Sequence, residues 1–204
     1  MSMDSLWYFT QMPPELITSV EKDLQQFDSN LNTAYTQGGV DLRKRDSKTT
    51  WISSSHWVAG LCFHYVLLAN RENFLYDIDG WDGETMQYTS YEGGEYYGWH
   101  MDTSLNSMGM PPKNEGNLID HRENFIMKGS EKVRKLSFIM QLSNPDEYSG
   151  GEVEFKRDTG NSYFIPKERG TIIVFDSRVM HQACEVHSGL RKSLVGWVSG
   201  PRWK

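Results

Sequence analysis

Apolar residues in the first third of the chain recur at helical spacing. After Pro13-Pro14 they stand three or four positions apart, at Leu16, Ile17, Val20, Leu24 and Phe27. Proline suits the first turn of a helix and this spacing forms one helical face, so a first helix is predicted here. A second helix is predicted to be capped within Ser53-Ser54-Ser55 and to run to about Ala69. Because it is apolar on most sides, it is expected to be buried.

From about Leu75 onward the pattern changes to short apolar runs separated by turn residues. The predicted strands are residues 75–78, 85–91, 135–142, 152–155, 163–165, 171–175 and 192–198. Many short strands with glycine-rich turns favour a sandwich or barrel over alternating strands and helices. A long polar stretch, residues 103–132, interrupts the strands and is typical of a lid or binding loop.

Composition indicates a single folded domain. The chain has 204 residues, 24% of them charged and 38% hydrophobic, which excludes a mainly disordered or fibrous protein. One domain over residues 1–204 is predicted, with a helical support in about 1–74 and a β core in about 75–204. The net charge of −6 argues against a nucleic-acid partner held by phosphate contacts.

Targeting and cysteine content indicate a soluble, cytoplasmic protein. Cys62 and Cys184 are too few for a disulfide framework or a structural zinc site. The first residues lack a signal-peptide pattern, and the most apolar window is too short to span a bilayer. No membrane partner is therefore expected.

Three residues form a candidate metal site. On a strand, His100 and Asp102 of His100-Met101-Asp102 point to the same face. Such a pair is more often a surface pair, and His181, which follows the apolar strand 171–175, has a hydrogen-bonded core histidine as its alternative interpretation. Together, however, they make two imidazoles and one carboxylate, the ligand set of non-haem Fe(II) oxygenases.

A candidate anion site follows on the last predicted strand. Arg191, Ser193, Val195 and Trp197 share one face of it. A guanidinium inside a barrel needs an anion, and arginine binds a carboxylate through two parallel hydrogen bonds, to which a hydroxyl adds a third. The alternative is a surface arginine paired with an acidic residue, but the order and spacing of the motifs favour the anion site.

These motifs resemble those of the 2-oxoglutarate- and Fe(II)-dependent dioxygenases, in the prolyl 4-hydroxylase-like branch that includes the PKHD-type hydroxylases. The resemblance covers about residues 86–198. It rests on the segment from Tyr91 to Asp102, Arg134-Lys135-Leu136-Ser137, Gly150-Gly151-Glu152, Phe155, Pro166, Gly170, Phe175, His181, Val186, Gly189, Arg191 and Trp197. It implies a mainly β fold with flanking helices, the double-stranded β-helix or jelly roll.

The resemblance also implies the site chemistry. His100, Asp102 and His181 would bind Fe(II), and Arg191 with Ser193 would hold the distal carboxylate of 2-oxoglutarate. O2 would be consumed, succinate and CO2 released, and ascorbate is a candidate reductant. The implied substrate is a peptidyl residue, with proline the first choice. A free amino acid or small metabolite is the first alternative, and a non-enzymatic jelly-roll binding module is the second.

Further residues are assigned by the same resemblance. Tyr91 stands where the family often has a tyrosine facing the co-substrate. Tyr88 and Tyr97 are weaker candidates, for which packing in the barrel is an equal alternative. Gln141 replaces a tyrosine common in prolyl hydroxylases and could donate through its amide.

Three other features are interpreted without a catalytic role. The insertion at 103–132 is expected to form part of the substrate mouth or a lid, with His121 as a solvated loop residue. The basic run Arg43-Lys44-Arg45 is interpreted as a solvated face. His187 is expected in an exposed turn. The oligomeric state is not specified by the sequence.

Overall fold

Strands dominate the part of the chain that the structure describes. This computed structural model describes residues 6–35, 40–103, 132–156 and 160–203. The helices are α1 (Pro14–Leu24) and α2 (Trp57–Ala69), and the π-helical turn Asn70–Phe74 follows α2. The strands are β1 (Trp7–Gln11), β2 (Asn32–Thr33), β3 (Arg45–Asp46), β4 (Lys48–Ser53), β5 (Gly80–Tyr91), β6 (Tyr96–His100), β7 (Lys132–Gln141), β8 (Tyr148–Gly150), β9 (Val153–Lys156), β10 (Ser162–Phe164), β11 (Thr171–Asp176), β12 (His181–Ala183), β13 (Val186–Gly189) and β14 (Arg191–Pro201).

Two antiparallel sheets enclose one layer of the core. The larger has the order β1-β11-β7-β14-β5-β4-β2, and the smaller has the order β10-β9-β12-β6-β3. An apolar cluster that includes Ile139, Phe155 and Phe175 fills the space between them. A second cluster lies on the other face of the large sheet, where α1 and α2 cover it. The arrangement is a jelly roll with flanking helices, which confirms the predicted fold class.

Alternation along the strands assigns each side chain to one layer. Leu194 and Val198 of β14 join the cluster under the helices, whereas Arg191, Ser193 and Trp197 line the cavity between the sheets. Successive residues of a strand point to opposite faces, so one strand serves both the core and the site. This confirms the shared face predicted for these residues.

The first third of the chain is not only helical. β1 pairs with β11 and β4 pairs with β5, so both strands extend the large sheet. Within the described ranges, no helix is long and apolar enough to cross a membrane. The single-domain organisation stays a prediction.

Two local predictions in this region are wrong. Residues 75–78 form no strand, because Leu75 has a positive φ of 55° and the Asn70 side chain bonds both the N–H and the carbonyl of Tyr76, at 2.9 Å each. The cap of α2 is His56, whose Nδ1 accepts a hydrogen bond from the Val58 backbone N–H at 3.3 Å, and not one of the three serines. Most of the predicted lid, residues 104–131 with His121, lies outside the described residues.

Candidate active site

His100 and His181 come together from two neighbouring strands, and Asp102 joins them from the bend that follows the first strand. β6 ends at His100 and β12 begins at His181, and the two histidines face each other in antiparallel register. His100 Nε2 lies 3.7 Å from Asp102 Oδ1, and His181 Nε2 lies 3.6 Å from Asp102 Oδ2. One ligand atom from each residue lies within 4.8 Å of the others. The donor set and its spacing fit a divalent transition metal such as Fe(II).

Asp102 is positioned by hydrogen bonds and not by a strand, which corrects the prediction that it continues the strand of His100. The chain bends after His100, and the Asp102 backbone N–H donates to the Ser177 carbonyl at 3.1 Å. Ser137 Oγ donates to Asp102 Oδ2 at 2.6 Å and lies 2.9 Å from Ser177 Oγ. Ser137 is therefore a positioning residue that the sequence reasoning did not identify as one.

Backbone carbonyls fix both imidazoles. The Nδ1 atoms of His100 and His181 lie 2.8 Å from the Gly98 oxygen and 3.0 Å from the Val179 oxygen. A carbonyl oxygen only accepts, so each Nδ1 carries a proton, and Nε2 is the nitrogen of each ring that a metal would use. Both Nε2 atoms lie on the side of Asp102, at 3.7 Å and 3.6 Å from its carboxylate oxygens.

The protonation states of the site also suit a metal. Burial lowers the pKa of His100 to about 4, and the neighbouring His181 adds to this effect. Burial would raise the pKa of Asp102, but the two imidazoles and the Ser137 hydrogen bond outweigh it, so that pKa is below its usual value. At neutral pH, His100 is therefore neutral and Asp102 is an anion.

Arg191 lines the same cavity as the triad, and with its neighbour Gln141 it leaves two donors without partners in the described part of the chain. Arg191 is 2% exposed, and its Nη2 donates to Gln141 Oε1 at 2.9 Å. Since a guanidinium only donates, the Gln141 amide turns its oxygen to Arg191 and leaves its nitrogen free. Arg191 Nε and Gln141 Nε2 are both buried, and neither has a hydrogen-bond partner within the described ranges. Unpartnered buried donors next to a positive charge fit an anion with several acceptors, such as a carboxylate.

The three candidate tyrosines occupy different places. Tyr91 lines the cavity, with its ring centre 5.3 Å from the guanidinium carbon of Arg191. Tyr97 also lines it and stacks on His100 with 3.6 Å between ring centres. Tyr88 lies on the helix side of the sheet, where its hydroxyl donates to Asp28 at 2.8 Å. The structure therefore brings Tyr91 and Tyr97 to the site and excludes Tyr88.

Arg45 also lies at the site, and its interpretation as part of a solvated face is wrong. Arg43 of the same run is exposed, but β3 pairs Arg45 with Tyr97 of β6 and leaves it 5% exposed. Its guanidinium lies 4.6 Å from the Tyr97 ring centre and donates to Ser47 Oγ and Gln87 Oε1 at 2.8 Å each. A two-residue strand shows no apolar alternation, so the sequence carried no signal of this burial.

An aromatic groove of about 460 Å³ borders the cavity and shares Arg45, Tyr97, Asp102 and Trp197 with it. Two further rings on its wall, Tyr35 and Trp51, are 72% and 53% exposed. Thr103 Oγ1 and Trp197 Nε1 on the same wall are buried and find no hydrogen-bond partner among the residues that the structure describes. The groove thus combines exposed rings with unpartnered polar atoms.

Comparison with known proteins assigns the fold and the motifs to one family. The family model for the 2OG-Fe(II) oxygenase superfamily matches residues 86–199, which contain every candidate ligand and the anion-site residues. The chain belongs to the 2OG-Fe(II) oxygenase superfamily. This confirms the resemblance found in the sequence.

Individual relatives in this superfamily are hydroxylases by name. A PKHD-type hydroxylase of Synechococcus sp. is 33% identical over 41% of this chain and 37% of its own length, and one of Rippkaea orientalis is 30% identical over 56% and 42%. The chain thus spans less than half the length of these relatives.

The fold resembles a Pseudomonas putida prolyl-4-hydroxylase (TM-score 0.67, 18% identity, 96% of this chain and 92% of that one). A Trichoplax adhaerens prolyl hydroxylase, in complex with a hypoxia inducible factor peptide fragment, has a TM-score of 0.71 at 14% identity, covering 96% and 84%.

Proposed function

We propose that this oxygenase is an Fe(II)- and 2-oxoglutarate-dependent hydroxylase of a peptidyl residue, with proline as that residue. The observation that carries the proposal is one cavity lined by both the His100–Asp102–His181 triad and Arg191, whose Nε and whose partner Gln141 Nε2 are buried donors without a partner in the described part of the chain. The triad supplies a metal donor set, and the donors supply a carboxylate site. An enzyme that must hold a metal and a keto acid together needs both.

Each residue has a distinct role in this proposal. His100 and His181 would hold the metal through Nε2 and Asp102 through its carboxylate, while Ser137 keeps the carboxylate turned toward them. When bound, Fe(II) supplies the oxidative decarboxylation of 2-oxoglutarate by O2, which yields succinate and CO2 and hydroxylates the substrate. The chain's own residues orient the reactants and exclude water.

The co-substrate anchor depends on burial. Arg191, Gln141 and Ser193 would donate to the distal carboxylate, and all three are at most 2% exposed. Hydrogen bonds to a charged group are stronger where water is excluded. Tyr91, beside Arg191, would add a hydrogen bond from its hydroxyl to the co-substrate.

The groove supports a proline-containing peptide as substrate. Proline-rich segments adopt a preformed extended helix that binds to aromatic-lined grooves, and Tyr35, Trp51, Tyr97 and Trp197 line this one. Thr103 Oγ1 and Trp197 Nε1 would donate to peptide carbonyls. The peptide complex of the Trichoplax adhaerens relative supports the same class of substrate.

Peptide hydroxylation tests the proposal. A panel of proline-containing peptides is incubated with the protein, Fe(II), 2-oxoglutarate and O2, and peptide mass and succinate are both measured. We expect one added oxygen atom per succinate formed. His181→Ala should lose both products, whereas the exposed His187→Ala should retain them. Turnover of free proline in preference to every peptide would contradict the peptidyl substrate.

A further inference from the structure

Arg45 carries a buried positive charge that is held only by neutral groups in the described part of the chain. Its Nε donates to the Ser47 hydroxyl and its Nη2 to the Gln87 amide oxygen. The Tyr97 ring covers the guanidinium on one side. Burying an ion is costly unless a charge of opposite sign and further hydrogen bonds offset that cost. The neutral acceptors around Arg45 supply hydrogen bonds but no charge of opposite sign.

The other arginines near the core are paired differently. Arg134 pairs with Asp82 at 2.6 Å, Arg178 pairs with Asp176, and Arg169 pairs with Glu21. Arg191 has the co-substrate carboxylate as its partner in the proposed function. Among the residues that the structure describes, Arg45 forms an ion pair with none of the carboxylates. By the pattern of the other arginines, it too requires an anion.

The position of Arg45 indicates where this anion would come from. The guanidinium stacks on Tyr97, and Tyr97 stacks on His100, so one ring separates the charge from a proposed metal ligand. Arg45 lines both the cavity and the aromatic groove. In the proposed function, Arg191, Gln141 and Ser193 already supply the donors for the co-substrate carboxylate. The anion that pairs with Arg45 would therefore belong to the substrate bound in the groove.

We propose that Arg45 binds a carboxylate of the substrate, next to the residue that is hydroxylated. This inference rests on the proposed function, and it names the substrate class more closely as a proline compound with an adjacent acidic group. Two sources supply that carboxylate: the free carboxyl terminus of the proline itself, or the side chain of an acidic residue that follows it. Arg45 is thus a specificity-determining residue.

Four probes separate the two sources. N-acetylproline and N-acetylproline amide differ only in the terminal carboxylate, whereas N-acetyl-prolyl-aspartyl amide and N-acetyl-prolyl-asparaginyl amide differ only in the side-chain carboxylate. Their dissociation constants are measured by tryptophan fluorescence on the protein with Fe(II) and 2-oxoglutarate under anaerobic conditions, because Trp51 and Trp197 line the groove. Binding is thereby read without turnover.

For the wild-type protein, we expect the acid of at least one pair to bind about 10- to 100-fold more tightly than its amide, as for a hydrogen bond to a charged group. Arg45→Gln should reduce that ratio to about one, and Arg45→Lys should restore part of it. The matched control is Lys48→Gln, which removes an equal charge from a half-exposed lysine that pairs with Glu92. It should leave the ratio unchanged.

The structural alternative predicts a different result. If Arg45 only ties β3 to β5, then Arg45→Gln weakens acids and amides equally, or lowers the melting temperature without changing the ratio. A wild-type ratio of about one in both pairs, or a ratio that survives Arg45→Gln, would overturn the inference. The two proposals fail in different measurements. Succinate formation that persists in His181→Ala would contradict the proposed function, whereas the inference about Arg45 depends only on the ratio of acid to amide dissociation constants.

Discussion

In the proposed co-substrate site, Arg191 and Gln141 would act as one binding unit, because the hydrogen bond between them fixes which of their donors stay unpartnered. Arg191 Nη2 holds the amide oxygen, so Gln141 Nε2 and Arg191 Nε are left as the donors. A tyrosine at this position would offer one hydroxyl to the carboxylate. The glutamine offers an N–H and also orients the guanidinium.

Gln141→Glu tests this unit with almost no change in shape. The new carboxylate would pair with Arg191 and repel the distal carboxylate of 2-oxoglutarate. We expect the dissociation constant for 2-oxoglutarate to rise by about 100-fold, since a charged hydrogen bond is exchanged for a like-charge contact. Titration calorimetry of the anaerobic Fe(II) protein measures it. Unchanged affinity would remove Gln141 from the anchor.

Asp176 is a structural residue whose charge stabilises the fold. It accepts hydrogen bonds from the Tyr76 hydroxyl at 2.7 Å and from Arg178 Nε at 2.8 Å. Burial would raise its pKa, but the hydrogen bonds from Arg178 and Tyr76 outweigh this and lower the pKa below its ordinary value of 3.8. A lowered folded-state pKa adds stability above pH 3.8, which is lost as the pH falls through the folded-state value.

Asp176→Asn should therefore destabilise the protein by about 2 kcal/mol at neutral pH, because it removes the charge-assisted hydrogen bonds of a buried carboxylate, while the half-exposed Arg178 is still solvated by water. It should also flatten the loss of stability below pH 3.8. Urea denaturation at pH 7 and in an acid series measures both effects. An acid-side slope equal to that of the wild type would assign the acid sensitivity to other groups.

At the scale of elements, the turn between β8 and β9 holds Arg191 in place. Gly151 has φ +64°, and a Cβ there would lie 2.9 Å from Arg191 Cδ and 2.9 Å from Val186 Cγ2. A residue without a side chain adopts this backbone without strain and leaves room for the anchor. The loop thus controls the position of the guanidinium from outside β14.

Gly151→Ala should weaken 2-oxoglutarate binding about tenfold by displacing Arg191, and should cost about 1–2 kcal/mol of stability from backbone strain. Gly94→Ala is the control, since Gly94 has φ +91° and open space around its Cβ position. Gly94→Ala adds backbone strain but brings no new contact with Arg191, so only the stability should fall and not the affinity for 2-oxoglutarate. Calorimetry and urea denaturation separate the two effects, and equal losses of affinity would contradict this role of the loop.

Predictability from sequence also differs between elements. β11 and β14 were predicted to within three residues at each end because their apolar runs are long. His100 was placed on a strand without bounds for β6, and β12 was missed, since strands of five and three residues that carry polar ligands show no apolar alternation. His100 and His181 were therefore found from their motifs, and their facing register appeared only in the structure. Arg45 has no motif and was missed.

At the scale of the whole molecule, the triad joins parts of the sheets that are distant in sequence. Asp102 follows β6 of the small sheet, whereas the Ser137 that orients it lies on β7 of the large sheet. A metal bound to the triad is thus linked through Asp102 and Ser137 to both sheets. Because a ligand that binds only the folded state stabilises it, metal binding should stabilise the entire fold.

A divalent cation should therefore raise the melting temperature. At 100 times its dissociation constant it contributes about 2.7 kcal/mol to the free energy of unfolding. Scanning calorimetry with and without anaerobic Fe(II) measures the shift. Asp102→Asn should abolish most of it, whereas Asp146→Asn, on a short turn away from the triad, should not. An equal shift in Asp102→Asn would place the metal elsewhere.

The central claim is that the triad and Arg191 together support the consumption of 2-oxoglutarate. The most direct measurement is succinate formation by protein that is purified anaerobically, loaded with Fe(II) and 2-oxoglutarate, and then exposed to O2. We predict succinate with the wild-type protein and with the exposed His187→Ala, and none above background with His181→Ala or Arg191→Gln. Succinate formation at the wild-type rate in His181→Ala would contradict the account.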